Sequence, residues 1–180
     1  MRILICISGA SGAKLALKLA KFLNKEHKVY VVFSKGAKLV LKHEEGLNIK
    51  KYLKKHKITY FKDSNLAASV SSGSFLIDCA FFYASCDFLA NVLYGRTNTL
   101  ITRAFNVNLK ENRKIIIAPR ESPFSSIMLK NLKKLNSLGC IIAPALISTY
   151  SKSKQSDFII GKWCDLIGIK HNLFKRWEGK

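Results

Sequence analysis

A chain of 180 residues with 48% hydrophobic content can bury one sizeable core without staples and leaves little room for a second domain. Its formal charge of +20 invites a nucleic-acid partner, yet the lysines fall on helix faces (Lys14, Lys18, Lys21; Lys130, Lys133, Lys134), with no recognisable RNA- or DNA-binding motif and no aromatic interleaving, so solvated faces account for most of them. Five widely spaced cysteines, Cys6, Cys79, Cys86, Cys140 and Cys164, form no C-x-x-C pair and argue against a disulfide framework or zinc knuckle, which points to a reducing compartment, the cytoplasm.

The apolar run at 2–8 is too short for a secretory h-region and leads straight into a glycine loop, so it predicts a first strand. Leu15, Leu19 and Phe22 then repeat at i, i+4, i+7 with Lys14, Lys18 and Lys21 on another face, which predicts a helix, and 28–33 predicts the second strand of a βαβ unit. The lysine-rich segment 47–57 reads as a short exposed helix or loop without an evident role. Further strands are expected at 75–83, 114–119 and 140–143. A helix over 125–138 turns Met128, Leu132 and Leu135 inward and stops at Gly139, in the position a C′ glycine takes. The apolar run 75–88 is interrupted by Asp78 and Asp87 and falls short of the roughly 20 apolar residues a membrane span needs. Residues 150–157 are polar and helix-poor, and 158–167 resume an apolar helical pattern. Short apolar runs alternating with helical periods predict an α/β chain, a Rossmann-like or flavodoxin-like three-layer fold with a mainly parallel central sheet. One domain over 1–180 is expected, its tail from about 168 packing on a neighbouring subunit.

The first site candidate is Ser8-Gly9-Ala10-Ser11-Gly12-Ala13, between the first strand and the first helix. Small residues let the backbone approach a phosphate, and the helix start directs free N–H groups toward it. The loop departs from G-x-G-x-x-G, and the chain holds no G-x-x-x-x-G-K-[ST], so a mononucleotide such as FMN fits better than a dinucleotide or a nucleoside triphosphate. A tight βα turn without a ligand is the plainer alternative. His27, His43, His56 and His171 show no ligand spacing and are expected at the surface, with no metal demanded.

Other segments follow in order: Val32-Phe33-Ser34-Lys35-Gly36-Ala37, Ser71-Ser72-Gly73-Ser74-Phe75, Leu100-Ile101-Thr102-Arg103-Ala104, Leu109-Lys110-Glu111 and Pro119-Arg120-Glu121-Ser122-Pro123-Phe124-Ser125-Ser126. In order and spacing the chain resembles the UbiX-type flavin prenyltransferases over nearly its whole length. That resemblance implies transfer of a dimethylallyl group from dimethylallyl phosphate to N5 and then C6 of reduced FMN, giving prenylated FMN for a UbiD-type decarboxylase. It also implies a homo-oligomer, a dodecamer in the family.

By the same resemblance, Gly9, Ala10 and Ser11 match the FMN phosphate loop, Ser34 a flavin-contacting serine, and Ser85, Cys86, Asp87 and Phe88 the stretch along the isoalloxazine. Arg120 matches a flavin-binding arginine and Glu121 the acidic residue that handles protons, with Ser11 as a relay near N5. Arg103, Lys110, Tyr150 and Lys162 match the binding site for the prenyl phosphate, while Glu44 and Trp177 match positions near the assembled site. The set is chemically coherent, because a prenyl monophosphate is a poor electrophile until cations and a phenol hold its departing phosphate. Taken singly, Arg120–Glu121 reads equally as a structural ion pair and Lys110–Glu111 as solvated loop charge.

The chain departs from the family at Ala84, where a cysteine is frequent, and at Asp87, which places a negative charge near the flavin. Arg96 is a candidate to offset it. The segment after Tyr150 is shortened before Lys162. Flavin-dependent cysteine decarboxylases share the SGASGA loop, but their P-A-S-A-N-T-like segment is missing at 84–89; a plain FMN carrier is the remaining alternative.

Overall fold

The computed structural model describes residues 1–149 and 153–178. Strands β1 (Arg2–Ile7), β2 (Lys28–Phe33), β3 (Thr59–Lys62), β4 (Cys79–Ala84), β5 (Lys114–Pro119) and β6 (Ile141–Ile142) form one sheet in the order β3-β2-β1-β4-β5-β6. Every neighbouring pair is parallel. Helices α1 (Lys14–Leu23), α2 (Lys35–Glu45), α3 (Ile49–Lys55), α4 (Cys86–Leu93), α5 (Leu100–Lys110), α6 (Ser126–Ser137) and α7 (Gln155–Ile167) cover it, and a 3-10 turn spans Ser69–Ser71.

A parallel sheet needs helical crossovers, which cover both faces and bury its strands without polar alternation. β1, β2 and β5 each have one exposed residue followed by five buried ones. Successive side chains still point to opposite faces. Ile3, Ile5, Ile7, Phe81 and Tyr83 pack with α1, α2, α3 and α7, whereas Leu4, Cys6, Ala80 and Phe82 pack with α4, α5 and α6. Trp163 of α7 anchors the first layer with its ring centroid 4.9 Å from that of Phe81. Phe88 and Phe105 clasp Phe82 in the second, at 5.2 and 5.4 Å. The chain reverses its winding direction between β1 and β4, so the connections after them leave on opposite faces and open a crevice at their carboxyl ends.

Several local expectations shift. The buried stripe of α1 is Ala16, Leu17, Leu19, Ala20 and Leu23, with Leu15 and Phe22 at its partly buried margin. Segment 47–57 is not simply exposed: α3 buries Ile49 and Leu53. Residues 75–78 precede β4 as coil, and Asp78 accepts the Arg2 N–H at 2.7 Å. Gly139 has φ +87°, as its C′ position requires. Among the described residues no helix is long and apolar enough to cross a membrane.

Candidate functional site

Three serines end adjacent strands at the crevice. Ser8 follows β1, and its Oγ accepts the Ser85 N–H at 2.9 Å while donating to the Tyr83 carbonyl at 3.1 Å. Ser34 follows β2 and caps α2 by accepting the Ala37 N–H at 3.0 Å. Ser85 follows β4 and caps α4 by accepting the Phe88 N–H at 3.4 Å. A cavity of about 280 Å³ opens among these serines and is walled beyond them by Asp87, Phe88 and Arg96. The starts of α2 and α4 give it partial positive charge suited to a phosphate.

The loop after β1 is held tightly. At Gly9, φ is +84°, and an added Cβ would meet Ala37 N and Gly36 C at 2.8 Å; the loop rests on the first turn of α2, where no side chain fits. Tyr83 donates its phenol to the Ser11 carbonyl at 2.8 Å from beneath. Burial pushes the Tyr83 phenol up to about 12, the charge of Arg120 opposing this and that of Glu44 adding to it, so the phenol remains a donor at neutral pH. Ser11 Oγ in turn donates to Glu44 Oε2 at 2.6 Å. Ser11, Glu44, Tyr83 and Arg120 therefore form one neighbourhood.

A second acid lies beside it. The Arg120 N–H donates to the Ala84 carbonyl at 3.2 Å, tying the β5 exit to the end of β4. Glu121 accepts the Ser122 N–H at 3.1 Å and the Cys86 thiol at 3.4 Å. Burial raises the Cys86 thiol, and the hydrogen bond and charge of Glu121 raise it further; it remains a protonated donor near neutrality. Asp87 is exposed at the start of α4. Arg96 donates to Asn91 Oδ1 at 3.1 Å, so it reaches the crevice wall one turn beyond Asp87 and forms no ion pair with it among the described residues.

Among the described residues, the members Arg103, Lys110 and Lys162 of the prenyl-phosphate set do not converge within one chain. Helix α5 begins at the carboxyl edge of the sheet, where the Leu100 N–H donates to the carbonyl of Asp63 just after β3, at 2.7 Å. It ends at the opposite edge, leading into β5. Arg103, in the first turn of α5, donates from Nε to Ser71 O at 3.3 Å; at the far end Arg113 donates to Gly73 O at 2.5 Å and Lys110 pairs with Glu111. At Gly73 an added Cβ would lie 2.9 Å from Lys110 Nζ, so the glycine admits this basic cluster over 71–74. Lys162 lies on α7, in the other helical layer, beside an apolar cavity of about 340 Å³ walled by Ile142, Phe158 and Trp163. Tyr150 lies outside the described residues.

The tail folds back on α7. Asp165 accepts Arg176 at 2.6 and 3.2 Å and lies 3.2 Å from His171 Nε2. At Gly161 an added Cβ would meet Phe174 Cε1 at 2.5 Å. The His171 side chain is 0% exposed, which corrects its expected surface position: a glycine on α7 makes room for the ring. Trp177 points outward, 68% exposed. Tyr83 and the Cys86–Glu121 contact were not apparent as site features in sequence. The only signal for Tyr83 was a polar-tipped aromatic ending an otherwise apolar strand.

Comparison with known proteins gives one consistent answer. The Flavoprotein family matches residues 1–167. The flavin prenyltransferase UbiX of Helicobacter pylori is 42% identical over 184 residues, 98% of each chain. A dodecameric FMN-dependent UbiX-like decarboxylase from Escherichia coli superposes with a TM-score of 0.94 at 28% identity, over 99% of this chain and 100% of that one. AnUbiX, solved with FMN and dimethylallyl pyrophosphate, superposes with a TM-score of 0.93 at 30% identity, over 99% of this chain and 98% of the other.

Proposed function

We propose that this chain, which belongs to the UbiX family of flavin prenyltransferases, transfers a dimethylallyl group from dimethylallyl phosphate to reduced FMN, and that a UbiD-type decarboxylase receives the product. The observation that carries this reading is the meeting of the Ser11 loop and the Arg120–Glu121 loop at the sheet's winding reversal, tied respectively to Tyr83 and Ala84 of β4.

The residues present suit FMN. Three serine hydroxyls, two helix starts and the close-lying Gly9–Ala10–Ser11 loop suit a ribityl phosphate, Asp87 and Phe88 line the same crevice, and Cys86 and Arg120 are proposed to meet the ring. When bound, the reduced flavin supplies the electron-rich ring nitrogen. Arg120 would hold the flavin by charge-assisted hydrogen bonding. Glu121 and Ser11 hold and pass protons, with Glu44 orienting the Ser11 hydroxyl through their 2.6 Å bond. Arg103, Lys110, Tyr150 and Lys162 neutralise the departing phosphate.

Because Lys110 sits at the far end of α5 and Lys162 in the other layer, the complete site is proposed to lie between copies. The dodecameric relative supports an oligomer of that kind, and the outward Trp177 supports a tail docked on a neighbour. Five unpaired thiols favour a reducing, cytoplasmic setting. The test is anaerobic incubation of the FMN-loaded, reduced protein with dimethylallyl phosphate, followed by mass measurement of the extracted flavin. A gain of one prenyl unit is expected; flavin recovered unchanged would reject transfer and leave the FMN-carrier reading.

A further inference from the structure

Beside the flavin crevice lies a larger cavity of about 520 Å³, within the roughly 300–1,000 Å³ range of small-molecule sites. Lys35 and Lys38 reach it from the first turn of α2, Lys50 from α3 and Lys62 from the end of β3. It shares Ser34, Asp63, Asn98 and Thr99 with the crevice, so the two spaces adjoin where the flavin's phosphate is proposed to lie. Among the described residues none of the four lysines forms an ion pair. The single carboxylate in the wall, Asp63, is turned to α5, where its Oδ1 accepts the Ile101 N–H at 2.8 Å.

Three separate elements thus bring four lysines to the wall of one concavity with little to neutralise them. Like charges gathered this way repel, and an anion that enters relieves the repulsion at each of them. Lysine is a compact, adaptable phosphate ligand, and its aliphatic stem supplies apolar wall between the charged tips. A single phosphate beside Ser34 uses only part of this charge. The lysine-rich segment that ends in α3 thereby acquires a role: burying Ile49 and Leu53 fixes the helix so that Lys50 faces the cavity.

We propose that this cavity is a second anion site, taking a diphosphate-bearing ligand whose phosphates lie beyond that of FMN. The proposal rests on the flavin reading only for its neighbour, not for its own chemistry. Two sources carry the same group: a flavin dinucleotide that spans both spaces, or a free diphosphate beside FMN.

The experiment titrates inorganic pyrophosphate into FMN-loaded protein, and FAD into flavin-free protein, at low salt. Wild type is compared with the triple variants Lys38→Ala/Lys50→Ala/Lys62→Ala and Lys38→Arg/Lys50→Arg/Lys62→Arg. Pyrophosphate affinity should fall by about tenfold or more in the alanine variant and be retained in the arginine variant, while FMN affinity changes by less than about threefold. Loss of FAD binding in parallel assigns the diphosphate to the dinucleotide; an effect on pyrophosphate alone assigns it to a free anion. Equal affinities for both probes in wild type and the alanine variant, or no binding of either, would overturn the site. If wild type fails to bind FMN, the flavin reading falls, and pyrophosphate titration of the unloaded protein still decides the cavity.

Discussion

Cys86 is the exposed thiol among five free cysteines, yet it is poorly set to react as a nucleophile. Partial burial disfavours its thiolate, and the neighbouring Glu121, an acceptor that holds the proton on sulfur, opposes it further. Glu121→Gln removes that charge and should lower the Cys86 pKa toward its ordinary value, so alkylation by iodoacetamide at about pH 8 should accelerate. An unchanged rate would mean that Glu121 does not govern the thiol. The same substitution should slow prenyl transfer by about a hundredfold, a typical loss for a positioned proton-transfer group, as measured by single-turnover formation of product. Tyr83→Phe keeps the ring between the core and the Ser11 loop but deletes one buried hydrogen bond. A loss of about 1 kcal/mol in urea unfolding is expected, with weaker FMN binding because the loop is no longer held at the Ser11 carbonyl.

At the scale of elements, the C-terminal segment is fastened to α7 by Asp165. The hydrogen bond from Arg176, with further help from its charge and from His171, holds the Asp165 carboxyl below the usual carboxylate range. A lowered folded-state pKa means the carboxylate's contribution is fully present above the ordinary value of about 3.9 and is lost as pH falls through the lowered one. Hydrogen-exchange protection factors over 169–178 should therefore be high at neutral pH and fall in strong acid, and Asp165→Asn should show the low protection already at neutral pH. Equal protection in the variant would assign the fastening to Phe174 and the buried His171 ring instead.

Elements were legible in proportion to how locally their burial is encoded. β2 and β5 are continuous apolar runs and match their expected limits, and Met128, Leu132 and Leu135 of α6 are buried as expected. β3 escaped notice because Thr59–Lys62 is a four-residue edge strand with no buried residue. α4 and α5 were hidden because their sequences read as motif segments, although Ser85 and Thr99 both cap helices. The site divides in the same way. Ser8, Ser34 and Ser85 were marked by strand ends and motif order, whereas the Cys86–Glu121 and Ser11–Glu44 contacts bridge 35 and 33 positions and leave no local trace.

For the whole molecule, the distribution of the cations is the decisive feature. One chain presents a crevice with Ser11, Arg120 and Glu121 at the carboxyl edge of its sheet, and the basic pair Lys110 and Arg113 at the other edge. Closed symmetry allows the far edge of one copy to complete the crevice of another. The most direct measurement is prenyl transfer by mixed oligomers formed from co-expressed Lys110→Ala and Glu121→Gln chains, each nearly inactive alone. If Lys110 and Glu121 of one site come from different copies, about a quarter of the sites draw both intact partners, and activity should recover in that proportion. Mixed oligomers that form but remain as inactive as their parents would contradict a site shared between copies.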